Sequence, residues 1–241
     1  MTNKPTNDEM KKAIFITGTD TEVGKTVVTG LLGRYLLDNG VKTITQKWVQ
    51  TGCVGFSEDI AVHMALMGKT EEDIKEYFIE VAPYVLGFPS SPHLAAKLEE
   101  TVIDQRKIEN SFQSLQKEFD VVLVEGAGGA MVPVDETKMM IDIVGDIGMP
   151  VLIVAENKLG AINQTLLTIE ALRTREIDII GVIFNQRSKD VDDIILKDNP
   201  EIVEKLTGIK ILGELPFSDN VEELYSAFKP IGEKVAARFI G

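Results

Sequence analysis

The segment Gly18-Thr19-Asp20-Thr21-Glu22-Val23-Gly24-Lys25-Thr26 ends in the Gly-Lys-Thr of a phosphate-binding loop. In the pattern G-x-x-x-x-G-K-[ST], backbone N–H groups at a helix start cradle phosphate oxygens, the lysine reaches the β and γ phosphates, and the hydroxyl binds Mg²⁺. Gly24, Lys25 and Thr26 fit its end. The first glycine is displaced: Thr19 stands where it is expected and Gly18 one position earlier, so the loop is one residue longer or differently bent.

Other chemistry-bearing residues sit where strands should end. In Val121-Val-Leu-Val-Glu-Gly-Ala-Gly-Gly129 four aliphatic residues precede Glu125, as in a Walker B strand. A carboxylate there can reach the Mg²⁺ held by Thr26, or it only caps a turn, while Gly126, Gly128 and Gly129 allow close backbone approach. In Thr45-Gln-Lys-Trp-Val-Gln-Thr-Gly52, Lys47 is either a cation beside the loop or a snorkelling strand-end lysine. Asp59 opens a helix over Ile60 to Met67 and is an N-cap candidate. His63, one turn on, reads as a helix-face histidine, and His93 after Ser91-Pro92 as a turn residue. Gly160-Ala161-Ile162-Asn163 opens a helix whose N–H groups can take a carboxylate or phosphate, unless the stretch is a plain cap.

The elements that must position these groups are legible as alternating patterns. Ala13 to Thr17 is short, apolar and β-rich, and Val28, Leu31, Leu32, Tyr35 and Leu36 keep helical spacing until Asn39-Gly40 closes the helix. Strands are expected at Thr43 to Val49, Val121 to Val124, Val151 to Ala155, Ile179 to Phe184 and Ile209 to Leu212, with helices between most of them. That order predicts an α/β fold with a mostly parallel sheet covered on both faces, its chemistry gathered at the strands' carboxyl ends. Cys53 to Asp120 is expected to hold two or three helices, and Pro230 to divide the helical stretch Val221 to Phe239. We expect one domain over residues 1–241, with a flexible polar extension over residues 1–12.

The chain has 241 residues, 44% of them hydrophobic, and a net charge of −13. The acidity argues against nucleic acid or an anionic membrane as the main partner. No apolar run approaches the roughly 18 residues of a membrane span, and the N-terminus lacks a signal-peptide core, so a cytoplasmic protein is expected. The single cysteine, Cys53, excludes internal disulfides and reads as a buried hydrophobe.

The motifs TGTDTEVGKT, VEGAGG, KLGAIN and GVIFNQ together resemble those of dethiobiotin synthetases over essentially the whole chain. The resemblance implies a P-loop NTPase-like fold and an ATP- and Mg²⁺-dependent ligase of biotin synthesis. In that family CO₂ adds to one amine of 7,8-diaminononanoate, ATP phosphorylates the resulting carbamate, and the second amine closes a cyclic urea. By resemblance, Val23, Gly24, Lys25 and Thr26 hold phosphate, and Thr26, Asp59 and Glu125 hold the metal. Lys47 stabilises the carbamate and the moving phosphoryl group, Thr51 stands for the family's usual serine, and Thr21 and Glu22 face substrate or phosphates. Asn185 and Pro216 meet the adenine. Gly160, Ala161, Ile162 and Asn163 receive the substrate carboxylate across a homodimer interface. Trp48 departs from the family's usual proline, and Gln50 precedes Thr51.

A partitioning-type ATPase is the main rival reading. It wants an additional lysine early in the loop, where this chain has Gly18-Thr19-Asp20.

Overall fold

A computed structural model describes the backbone of residues 13–239; the expected extension over residues 1–12 lies outside the described residues. Six strands form one parallel sheet in the order β2-β5-β1-β6-β7-β8. They are β1 (Ala13–Gly18), β2 (Thr43–Lys47), β5 (Val121–Gly129), β6 (Val151–Glu156), β7 (Ile179–Asn185) and β8 (Ile211–Leu215). The central strands β1, β6 and β7 are largely apolar on both sides because both faces are covered, whereas the edge strand β2, Thr-Ile-Thr-Gln-Lys, is mostly polar. Ala13 and Phe15 of β1 point into one core with Ile44, Val122, Val124, Ile153 and Phe184. Ile14 and Ile16 point into the other with Leu123, Leu152, Val154 and Ile183.

The second face is closed by α1 (Lys25–Asp38) and α9 (Val221–Phe239), through Leu31, Leu32, Leu36, Phe228 and Ile231. As expected, α1 ends at Asn39, and Gly40 takes a φ of 78°. The first face is closed by α2 (Glu58–Leu66), α5 (Gln105–Glu118), α6 (Met140–Ile147), α7 (Ala161–Arg173) and α8 (Asp193–Thr207). Helix α2 rests on α1 at two glycines: a Cβ on Gly30 would lie 2.6 Å from Leu66 Cδ1, and one on Gly33 2.7 Å from Met67 Sδ.

The structure corrects several expectations. The strand expected over Thr43 to Val49 breaks at Trp48, and β3 (Val49–Thr51) pairs instead with β4 (Tyr84–Leu86) in a separate two-stranded sheet. The fully buried Trp48 ring lies 5.2 Å from that of Phe15, and its Nε1 donates to Gln46 Oε1, which holds the chain out of the main ladder. The last strand is shifted to Ile211–Leu215 because Ile209 N donates to Thr207 Oγ1 in the turn after α8. Pro230 lies inside a single α9. The lost hydrogen bond is offset where Phe228 and Ile231 bury on one face and Lys234 Nζ donates to Leu212 O. The Cys53 to Asp120 stretch holds four α-helices rather than two or three, since α3 (Phe78–Val81) and α4 (Pro92–Leu98) are short. Cys53 is buried, as its type suggests.

Candidate active site

The phosphate loop joins β1 to α1 over residues 19–24. Gly24 takes a φ of 98°, which a side chain rarely tolerates, and a Cβ there would stand 2.0 Å from Asn185 Nδ2. Asn185, ending β7, donates that same amide to Val23 O at 2.9 Å. One of its two amide hydrogens is thus used on the loop. Glu22 also lies in the left-handed region, at a φ of 57°, and Thr21 N donates to Asp20 Oδ1 at 2.7 Å. Both Thr21 and Glu22 are exposed.

Four elements bring five of the expected residues together. Lys25 and Thr26 open α1, Lys47 ends β2, Asp59 lies in the first turn of α2, and Glu125 sits within β5. Because β2 and β5 are parallel neighbours, Lys47 and Glu125 stand opposite each other in register. Lys47 Nζ donates to Glu125 Oε1 at 2.8 Å, Asp59 Oδ2 at 2.7 Å and Gly126 O at 3.0 Å. Thr26 Oγ1 lies 3.2 Å from Glu125 Oε1 and 3.4 Å from Asp59 Oδ1. Lys47 is 4% exposed, so the snorkelling alternative fails. Nor is Asp59 the helix cap: Ser57 takes that place, its hydroxyl accepting from Ile60 N, while Gln50 Oε1 accepts from Ser57 Oγ at 2.8 Å. Asp59 is left free to face Thr26.

The charges balance locally. Burial, then the neighbouring Lys47 cation, lowers the Lys25 ammonium to about 8. Burial acts to lower Lys47 too, but Glu125 and Asp59 outweigh it and hold Lys47 above the usual lysine range. Burial acts to raise Glu125, yet the Lys47 cation and the hydrogen bond with His63 keep it well below the carboxylate range. Hydroxyl and carboxylate oxygens on one side of a phosphate loop are the donor set that Mg²⁺ prefers. Thr26, Asp59 and Glu125 therefore fit that ion.

His63 and Gln50 were missed by sequence reasoning. His63 is fully buried, with Nε2 2.7 Å from Glu125 Oε2. Its spacing of four residues from Asp59 was the available signal. His93 lies at the start of α4, its Nδ1 3.0 Å from Ser91 Oγ.

At the carboxyl ends of β6, β7 and β8 lies a cavity of about 330 Å³ whose walls include Phe184, Leu196, Leu215 and Pro216, with Asn157 and Glu214 as polar members. That is the lower end of the size range of small-molecule pockets, roughly 300–1,000 Å³. Gly160 caps α7 with a φ of 92°, and Ala161 N already donates to Lys158 O. The N–H groups of Ile162 and Asn163 remain in the first turn, where the helix supplies no acceptor. Gln164 Nε2 reaches Asp20 Oδ2 of the phosphate loop at 3.2 Å. Thr51 ends β3, half-buried, outside the Lys47 cluster's own sheet.

A family model described as an AAA domain matches residues 12–224. The ATP-dependent dethiobiotin synthetase BioD 2 of Haemophilus influenzae is 45% identical over 178 residues, which are 73% of this chain and 92% of that protein. The chain belongs to the dethiobiotin synthetase family. The dethiobiotin synthetase BioD of Chlorobaculum tepidum is 42% identical over 210 residues, 86% of each chain. Among solved structures, the cell division ATPase MinD of Pyrococcus furiosus superposes with a TM-score of 0.58 at 19% identity, covering 95% of this chain and 99% of its own. The ParA of pNOB8 bound to nonspecific DNA gives 0.58 at 16% identity, covering 94% and 98%. These two share the P-loop fold of the rival ATPase reading, and at such identities they speak for the fold alone. Sequence similarity places the chain among the dethiobiotin synthetases, an enzyme family. No helix among the described residues is long and apolar enough to cross a membrane.

Proposed function

We propose that this chain closes the ureido ring of dethiobiotin from 7,8-diaminononanoate, CO₂ and ATP, acting in the cytoplasm as a single-domain homodimer. The observation that carries the reading is the convergence of Lys25, Thr26, Lys47, Asp59 and Glu125 on one side of the phosphate loop. One amine adds to CO₂ and loses a proton, giving a carbamate. A carbamate oxygen attacks the γ-phosphorus and ADP leaves, giving a carbamic-phosphoric anhydride. The second amine then attacks the carbonyl carbon, and phosphate and a proton depart.

The residues act by placement and charge. Lys25 and the loop N–H groups from Val23 onward hold the phosphates, and Lys47 offsets charge on the carbamate and the moving phosphoryl group. Thr26, Asp59 and Glu125 would hold Mg²⁺, which when bound would supply positive charge against the phosphates. The cavity beside Pro216 receives the base, with Asn185 bracing the loop next to it. Thr21, Glu22 and the Thr51 hydroxyl line the substrate side. Gly160, Ala161, Ile162 and Asn163 accept the substrate carboxylate from across the dimer.

Incubation with 7,8-diaminononanoate, bicarbonate, Mg²⁺ and ATP should yield the cyclic urea by mass spectrometry, with ADP in equal amount. ATP hydrolysis that ignores the diamine and yields no urea overturns the reading in favour of a nucleotide switch.

A further inference from the structure

Glu125 divides its two oxygens between different neighbours. Oε1 faces Lys47 Nζ at 2.8 Å and Thr26 Oγ1 at 3.2 Å, while Oε2 faces only inward, to His63 Nε2 at 2.7 Å. Both side chains are sealed from solvent, Glu125 at 1% and His63 at 0% exposure. His63 Nδ1 has no hydrogen-bond partner among the described residues. These facts fix the proton. An ionised carboxylate only accepts, so Nε2 must carry the hydrogen.

We propose that His63 is a positioning residue: donating from Nε2, it holds Glu125 Oε2 and turns Oε1 alone toward the phosphate loop as a one-oxygen metal ligand. Resting on the reading of Glu125 as a metal ligand, the inference adds the group that aims it. The same helix serves twice. Asp59 and His63 lie one turn apart on α2, so one rigid element presents a carboxylate to Thr26 and braces the opposing carboxylate from behind. Ligand-orienting partners of this kind typically contribute about 10- to 100-fold in metal affinity.

The test compares Mn²⁺ binding, by electron paramagnetic resonance in the presence of ADP, for wild type, Glu125→Ala, His63→Leu and His63→Gln. Gln supplies an amide N–H at nearly the reach of Nε2. His63→Leu should weaken binding by about 10-fold or more, and His63→Gln should recover most of the loss. A His63→Leu protein that loses thermal stability yet binds Mn²⁺ like wild type overturns the positioning role while leaving Glu125 a ligand. Unchanged binding in Glu125→Ala overturns the metal reading, and the inference with it. Should His63→Leu not fold, ¹⁵N spectra of the wild-type imidazole decide: a proton on Nε2 supports the assignment, and a bare Nε2 refutes it.

Discussion

Lys47 and Glu125 form an ion pair of 2.8 Å in which neither side chain is more than 5% exposed. The same ammonium reaches Asp59, so one lysine bridges the two acids that flank the phosphate loop. Removing it strands Glu125 as a buried charge. Lys47→Ala should therefore lower the stability of the metal-free protein by about 3–5 kcal/mol. Because Mg²⁺ and the ammonium share acceptors, the variant should also bind Mg²⁺ more tightly than wild type and regain stability on adding it. Turnover should fall far more than ATP affinity. Denaturant unfolding with and without Mg²⁺, alongside steady-state kinetics, checks all three, and a Mg²⁺-independent stability loss would contradict the shared-acceptor argument.

The close approach of Gly24 and Asn185 predicts a coupled pair. Gly24→Ala meets both a clash with the Asn185 amide and a left-handed backbone, the latter alone costing roughly 1–2 kcal/mol. In an Asn185→Ala background the clash disappears and the backbone cost remains. The double mutant should thus lose less stability than the two single losses added together. Additive losses, measured by thermal unfolding, would mean the two residues do not meet.

On the opposite edge of the molecule, Tyr225 donates to the Asp38 carboxylate, and burial followed by that hydrogen bond pushes its phenol up to about 12 from an ordinary 10.0. A raised folded-state pKa gives stability that is full below pH 10 and lost as pH rises through the folded value. Between those values the unfolded chain releases the proton and the fold retains it. Wild type should consequently lose stability between pH 10 and about 12 that Tyr225→Phe does not lose. Parallel alkaline limbs in urea titrations of the two proteins would mean that the Tyr225 phenol is not raised in the fold.

If the substrate carboxylate crosses the dimer interface, two inactive variants should rescue each other. Gly160→Pro is incompatible with the φ of 92° at the start of α7, and Lys25→Ala disables only the phosphate side. After unfolding and remixing, each heterodimer holds one doubly damaged site and one intact site. Activity should return to a fraction of the wild-type value. Heterodimers confirmed by native mass spectrometry that remain inactive would place the carboxylate within one subunit, where Gln164 already ties α7 to Asp20.

What sequence could reveal follows the distance over which each feature is encoded. The Lys25 and Thr26 pair is local, fixed by a strand and the residues just after it, and Glu125 stands out as an acid closing an aliphatic run, although β5 continues past it to Gly129. Lys47 meets Glu125 only through strand pairing, and Asp59 meets Lys47 only through the docking of α2, yet their types already fitted a metal and phosphate site. His63 did not announce itself. Its partner is 62 residues away, and the Leu66 and Met64 around it read simply as an apolar helix. Trp48 breaks a run whose β propensity is uniform, because the break is made by Phe15 underneath it. Pro230 was judged by its local cost, which the burial of Phe228 and Ile231 overrides.

The glycine contacts between α1 and α2 have a mechanical consequence. Alanine at Gly30 or Gly33 would gain about 1 kcal/mol in helix propensity, but each added methyl acts as a shim against Leu66 or Met67, driving α2 outward from α1. Asp59 and His63 would ride outward with it, opening the gap to Thr26 and slackening the brace on Glu125. The thickness of a helix contact one to two turns along α1 from Thr26 thus calibrates the site, and a methyl group outside the charged cluster detunes it.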